Sequence, residues 1–303
     1  MDMYQKREMR KNKKMDENTK SLPSSSINWY PGHMAKTKRQ IKEMISLIDI
    51  VVEVIDSRIP RSSRVPDITH YINDKKRIMV FTKYDLCDKT ITDKWIDKYA
   101  SLGYKVVPVN LKNNSDHKKV IEVINKEMTE INNKRKEKGL LERKAKVLVL
   151  GVPNVGKSTL INKITNKKQA SVGNKPGVTK SLSWIKINDK IDLLDSPGIL
   201  WPKIEEDEVA LNLASMTSIK EEILPIDTVS FHILKKLSEN YTELLEKLYG
   251  INDISDVMDT YEKISKYRNI PLINGETDYE RIEKLIINDV KLEKIIGVTF
   301  DKM

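Results

Sequence analysis

An α/β domain, with a mostly parallel sheet and helices on both faces, followed by a smaller all-α domain, is the architecture this sequence predicts. Three observations carry it. Short apolar runs near 50–55, 78–81, 105–109 and 147–150 alternate with helical stretches, the pattern of parallel strands joined by crossing helices. The last of these runs enters Gly151-Val-Pro-Asn-Val-Gly-Lys-Ser158, which fits G-x-x-x-x-G-K-[ST] between a strand and a helix. Beyond about residue 206 the strand signals stop, and helical periodicity continues over 206–219, 228–249, 254–268 and 278–296.

The first segment, 1–26, is charged, poor in apolar residues and ends in Ser24-Ser-Ser26, so a disordered basic extension is expected. Next come Ile27-Asn-Trp-Tyr-Pro-Gly-His-Met34, a compact loop, and an amphipathic helix with Thr37, Ile41, Met44, Ile45 and Ile48 inward and Lys36, Lys38, Arg39 and Lys42 outward. Strand one ends in Asp56-Ser-Arg-Ile-Pro60, strand two in Thr82-Lys-Tyr-Asp85, strand three in Asn110-Leu-Lys112. Helices are expected near 66–74, 90–101 and 115–138. After the Gly-rich loop, Ser183–Ile187 and Ile191–Leu194 flank Asn188-Asp-Lys190 as a hairpin whose second strand ends in Asp195-Ser-Pro-Gly198.

Bulk properties bound the partners. The chain has 303 residues, enough for about two domains, and a net charge of +10. That balance suits a polyanion, nucleic acid before membrane, although a general lysine bias would produce it equally well. A single cysteine, Cys87, excludes an internal disulfide and fits a reducing compartment. No apolar run approaches the ~20 residues that span a bilayer. A cytoplasmic protein without a membrane partner, monomeric when free, is expected.

Four elements carry chemistry. The Gly151–Ser158 loop would wrap backbone N–H groups around phosphates at a helix N-terminus, so Asn154, Val155, Gly156, Lys157, Ser158 and Thr159 are nucleotide-binding candidates. Lys157 would reach the β- and γ-phosphates, and Ser158 would hold Mg²⁺. Asp195 of the D-x-x-G turn would touch Mg²⁺ through water, and Gly198 would offer its N–H to the γ-phosphate. Between them, Thr179 in Gly173–Thr179 can give its hydroxyl to Mg²⁺ and be released on hydrolysis. Thr82-Lys-Tyr-Asp85 approximates the N-K-x-D guanine reader. A carboxylate at Asp85 accepts from guanine N1–H and the 2-amino group together, a pair adenine lacks. Lys83 would lie along the base; Thr82 replaces the usual Asn. Asn110 opens a poor match to a base-backing S-A-K element.

The base-reading elements precede the phosphate loop instead of following it, so the sheet is whole but cut at a different point, a circular permutation. With this order, Asn28-Trp-Tyr-Pro-Gly-His-Met-Ala-Lys36, Asp56-Ser-Arg-Ile-Pro60, Pro176-Gly-Val-Thr179 and Asp195-Ser-Pro-Gly-Ile199, the chain resembles the YlqF/RbgA family of circularly permuted GTPases of large ribosomal subunit assembly. The resemblance covers about 27 to 300. It implies a circularly permuted P-loop GTPase domain at 27–203 and a helical domain at 204–303 that docks on the ribosome. It further implies GTP and GDP as ligands, particle-stimulated hydrolysis and binding to 23S rRNA.

Ile199 stands where many GTPases carry the glutamine that orients the attacking water. From the residues alone His33 is a loop histidine that packs or contacts RNA. The resemblance points to it as the catalytic substitute, and to Asn154 as a K⁺ position. An RNA-binding scaffold with GTP as a structural ligand is the alternative that Ile199 keeps open. A metabolic ATPase or kinase is a third, against which Asp85 argues.

Overall fold

A computed structural model of the chain describes residues 32–66, 72, 75–166, 182–201, 204–219, 223 and 225–303, with His33 described by its backbone alone. The basic extension 1–26, most of the helix expected at 66–74 and Thr179 lie outside the described residues. Helix α1 (Gly32–Met44) runs into a 3-10 turn, Ile45–Leu47. It starts inside the stretch expected to be loop, so His33 belongs to its first turn. Met34, Thr37 and Ile41 are buried at helical spacing, while Lys36, Arg39 and Lys42 face solvent.

The strands follow as β1 (Ile50–Asp56), β2 (Lys76–Thr82), β3 (Lys105–Pro108), β4 (Ala145–Leu150), β5 (Ser183–Lys186) and β6 (Ile191–Asp195). Between them lie α2 (Lys89–Ser101), α3 (Asp116–Glu137) and α4 (Lys157–Thr165). Asp88 caps α2 by accepting from the Thr90 and Ile91 N–H groups. The strands form one six-stranded sheet in the order β3-β2-β1-β4-β6-β5. All pairs are parallel except β5–β6, the expected hairpin. Every residue of β1 is buried, as a parallel strand covered on both faces requires. The chain winds outward from β1 through β2 to β3, then returns to place β4 on the other side of β1. Strand order reverses there, and crevices at such points, beyond the carboxyl ends of the strands, are where α/β sheets bind ligands.

The rest is helical: α5 (Asp207–Ser215), α6 (Ile226–Asn240), α7 (Thr242–Tyr249), α8 (Val257–Tyr267) and α9 (Tyr279–Lys291). The single helix expected over 228–249 is two, broken at Tyr241, whose backbone leaves the helical region (φ −143°, ψ 51°). The break turns its hydroxyl toward the chain end, where it accepts from the Thr299 N–H at 2.8 Å. Asp256 and Asp278 start α8 and α9 by side-chain capping, which fixes both later than periodicity suggests.

After α9 the chain runs back over the sheet domain. Ile295, Val298 and Phe300 are fully buried. The Gly297 N–H donates to the Leu86 carbonyl and the Phe300 N–H to the Arg58 carbonyl, both at 2.8 Å. The Asp301 carboxylate accepts from the Arg61 and Ser62 N–H groups, the Ser62 hydroxyl and the Asn212 amide, while its carbonyl accepts from Trp95 Nε1. One continuous apolar core therefore serves both the sheet and the helices.

His232 joins this network, with Nε2 2.8 Å from Asn212 Oδ1. Burial, helped by Lys236, pushes its pKa down to about 4. The folded state thus keeps it neutral where the unfolded chain, at 6.5, takes up a proton. The resulting stability is fully present above pH 6.5 and is lost as pH falls toward 4. Burial raises the neighbouring Asp301, whose contribution has the opposite sign. Between pH 7 and pH 5 the histidine contribution amounts to about 2 kcal/mol. Urea midpoints at the two pH values should differ less in His232→Gln than in wild type; an equal difference would exonerate His232.

Candidate nucleotide site

Asp56, Thr82, Asn110, Gly151 and Asp195 all sit at or just beyond the carboxyl ends of their strands, so one edge of the sheet gathers every motif the described residues contain. The phosphate loop is pinned by geometry. A Cβ on Gly151 (φ +154°) would lie 2.6 Å from the Val54 carbonyl oxygen of β1, so only glycine lets loop and strand come this close. Asn154 (φ 60°) and Gly156 (φ 97°) take left-handed conformations that turn successive N–H groups inward, the concavity that holds anions. Gly156 starts α4 without a side-chain cap. The first-turn N–H groups thus point, with the helix dipole, at whatever anion enters.

Lys157 is buried in this loop, its ammonium donating to the Gly151 and Val152 carbonyls at 2.9 Å each. Burial pulls its pKa down to about 8 although Asp195 opposes the shift. Asp195, 2% exposed, moves the other way: burial raises it to about 6 against the pull of Lys157. Among the described residues its Oδ1 has no hydrogen-bond partner. A buried carboxylate oxygen left open next to a phosphate loop fits a hydrated divalent cation, since Mg²⁺ keeps several waters and takes few protein ligands. Ser158, one residue along the same turn, could supply a second oxygen. That chemistry would neutralise phosphate charge.

The D-x-x-G turn lies against the phosphate loop. The Ser196 hydroxyl donates to the Val149 carbonyl at 2.7 Å, and the Ile199 N–H donates to the Gly151 carbonyl at 3.1 Å. Ile199 is 1% exposed, so its side chain is core and reaches no water.

In the loop expected to read the base, Thr82 is fully buried, with its hydroxyl 2.9 Å from the Ile55 carbonyl and 2.5 Å from that of Val155. It can donate to one at a time, and through Val155 it ties β2 to the phosphate loop. The loss of the usual asparagine therefore leaves this link in place. Lys83, in a left-handed conformation (φ 55°), bridges Asp56 Oδ2 at 2.7 Å and the Asn154 carbonyl at 2.8 Å. Asp56 also takes a two-pronged contact from Arg58, Nε to Oδ1 at 3.0 Å and an NH2 to Oδ2 at 2.8 Å. Burial disfavours the Asp56 charge, but Arg58 and Lys83 outweigh it and hold the carboxyl well below the usual carboxylate range. Burial in turn lowers Lys83 despite Asp56. The Arg58–Asp56–Lys83 unit was not foreseen from sequence, where Asp56 and Lys83 stand 27 residues apart. Asn110 turns out to be local: its side-chain carbonyl accepts from the Lys112 N–H and its own N–H donates to Asp116. Lys112, not Asn110, approaches Asp85, with Nζ 3.4 Å from Oδ2.

Asn154 faces the helical part, where its amide donates to the Thr217 carbonyl at 2.7 Å, and the Ser218 hydroxyl donates to the Pro153 carbonyl at 2.8 Å. The phosphate loop is thereby held from below by Lys83 and Thr82 and from above by 217–218. No group of three or more His, Cys, Asp or Glu among the described residues could hold a metal by itself.

A protein 38% identical over 277 residues is the "Ribosome biogenesis GTPase A" of Bacillus licheniformis, the match covering 91% of this chain and 98% of the relative. The chain belongs to the ribosome biogenesis GTPase A family. The Thermotoga maritima member is 30% identical over 91% of this chain and 94% of its own. Family models agree: one described as 50S ribosome-binding GTPase matches residues 146–266, and one described as RsgA GTPase matches 37–205. Among solved structures, GNP-bound YlqF from T. maritima superposes with a TM-score of 0.61 at 27% identity, covering 88% of this chain and 98% of that one. The fold is thus the family's P-loop GTPase fold, and the chain is a GTPase of ribosome biogenesis whose nucleotide is guanine-based. No described helix is long and apolar enough to cross a membrane.

Within this family member, Gly198 has a testable steric role. A Cβ there would meet Pro153 Cα at 2.8 Å and Pro153 N at 2.9 Å, both backbone atoms that cannot swing aside. Gly198→Ala should push the D-x-x-G turn off the phosphate loop by a fraction of an ångström. Misplacement on this scale costs up to about 10²-fold in rate. GTP turnover is expected to fall by that order while GDP affinity stays within about threefold. Turnover equal to wild type would show that the turn tolerates displacement.

Proposed function

We propose that this protein acts in late assembly of the large ribosomal subunit, binding the maturing particle with GTP and leaving after particle-stimulated hydrolysis. The observation that carries the reading is the convergence of phosphate loop, base-reading loop and D-x-x-G turn on one sheet edge despite their permuted order. In it Lys157 and the N–H groups of 154–159 hold the phosphates, Asp85 reads guanine flanked by Lys83, and Gly198 senses the γ-phosphate. Ser158, Thr179 and Asp195 hold Mg²⁺, directly or through water, and Asn154 serves a K⁺ ion. Residues 204–303 dock on 23S rRNA, helped by the overall +10 charge, and the free protein is a cytoplasmic monomer.

His33 is the catalytic group in this reading. Ile199 is apolar and buried, so the water must be oriented from elsewhere. A histidine near neutral pKa can orient or deprotonate it. His33 lies in the first turn of α1, over a hundred residues from the phosphate loop in sequence, and a particle that moves α1 would control the rate. The same Ile199 favours a second reading, an RNA-binding scaffold in which GTP is a structural ligand. Single-turnover hydrolysis with and without large subunits separates the two. Acceleration that His33→Ala abolishes, with nucleotide affinity intact, supports the enzyme; no acceleration on adding particles supports the scaffold.

A further inference from the structure

Glu293 follows α9 in a left-handed conformation, φ 56°. Glycine or asparagine normally takes this place after a helix, because a Cβ there carries a cost of order 1 kcal/mol. The backbone gains nothing from glutamate at this point, so its side chain becomes the question. That side chain leaves the helical part and reaches the base-reading edge of the sheet. Its carboxylate hydrogen-bonds the Lys112 ammonium, the same ammonium that stands 3.4 Å from Asp85 Oδ2. Its charge is also felt by Arg58 and Lys83, so it faces the whole base-side cluster.

Lys112 therefore stands between two carboxylates, one from each part of the chain. An ammonium seated on Asp85 would occupy the lone pairs that guanine N1–H and the 2-amino group need. It would also cancel the charge that makes those bonds strong. We propose that Glu293 is a positioning residue for guanine recognition, holding Lys112 more closely than Asp85 does, so that the ammonium yields this carboxylate to the base. The inference rests on Asp85 as the base reader. The Lys112 and Glu293 side chains are 61% and 41% exposed, so the pair adds little to folding stability. Its loss should show in base affinity.

Titration of the full-length protein with GDP and IDP, by displacement of a fluorescent GDP analogue, reads this out. Glu293→Ala and Glu293→Gln should each weaken GDP by about three- to tenfold, the scale of one partly exposed charge contact. IDP lacks the 2-amino group and makes one bond fewer to Asp85, so the ratio of GDP to IDP affinity should shrink. A merely structural lesion would weaken both equally. In a Lys112→Ala background the Glu293 substitution should have no further effect. Unchanged GDP affinity, an unchanged GDP-to-IDP ratio, or an equal loss without Lys112 would each overturn the proposal. Asp85→Asn run in parallel keeps the two ideas apart. If it switches preference toward XDP while Glu293→Ala does nothing, the proposal alone falls; if it leaves GDP binding intact, the base reading falls and takes the proposal with it.

Discussion

Asp85→Asn should lower GTP affinity by roughly 10²- to 10⁴-fold and make XTP the better ligand. A carboxylate accepts two hydrogen bonds side by side, from N1–H and from the 2-amino group of guanine. An asparagine at the same place turns one acceptor into an NH₂ donor facing the amino group, so one bond is lost and two donors collide. Xanthine carries a carbonyl at position 2, which accepts from that NH₂ while N1–H still finds the amide oxygen. Nothing in the phosphate loop changes, because Lys157 and Thr82 make their contacts independently of Asp85. Competition of GTP, XTP and ATP against a fluorescent nucleotide measures the switch directly. Retained preference for GTP would remove Asp85 from the base site.

The second large effect lies at the other end of the chain. Phe300→Ala is expected to destabilise the whole protein by about 3–5 kcal/mol, the cost of truncating a fully buried phenylalanine. Its ring meets His232 edge-on with centroids 6.3 Å apart, and its N–H donates to the Arg58 carbonyl beside the Asp56 ion pair. If sheet and helices were independent, only the helical part would melt earlier and nucleotide binding would survive. Because one core serves both, a single urea transition should shift as a unit, followed by circular dichroism and by nucleotide binding together. Two separated transitions would show the parts to be independent.

Local chemistry was readable in the sequence. The phosphate loop, the D-x-x-G turn, the β5–β6 hairpin and the reversal of motif order all depend on neighbouring residues, and each lies where the spacing predicts. The Thr82–Asp85 loop was legible as a motif at a strand end, but its support was not. Asp56 and Lys83 are partners only because β1 and β2 pair in register, Asp56 opposite Thr82. The break at Tyr241 was hidden because Leu237, Leu244, Leu245 and Leu248 keep helical spacing across it. The residue at the break is held by Thr299, 58 residues away. Glu293 reads as an ordinary surface charge until its partner, 181 residues upstream, is placed beside it. Asn110 misled in the other direction: its place after β3 matched a base-contact element, while its side chain closes the turn that presents Lys112.

The strap of residues 295–301 also bears on how the molecule comes into being. Translation delivers β1 and β2 first, yet the loops after them are bonded by Gly297, Phe300 and Asp301, the last of them 240 residues beyond Arg61. These loops are begun early and braced late. A nascent chain that has already made its phosphate loop still lacks the groups that brace Arg58, Ser62 and Leu86. The loop after β1 thus waits for a residue 240 positions further on before its bracing is complete.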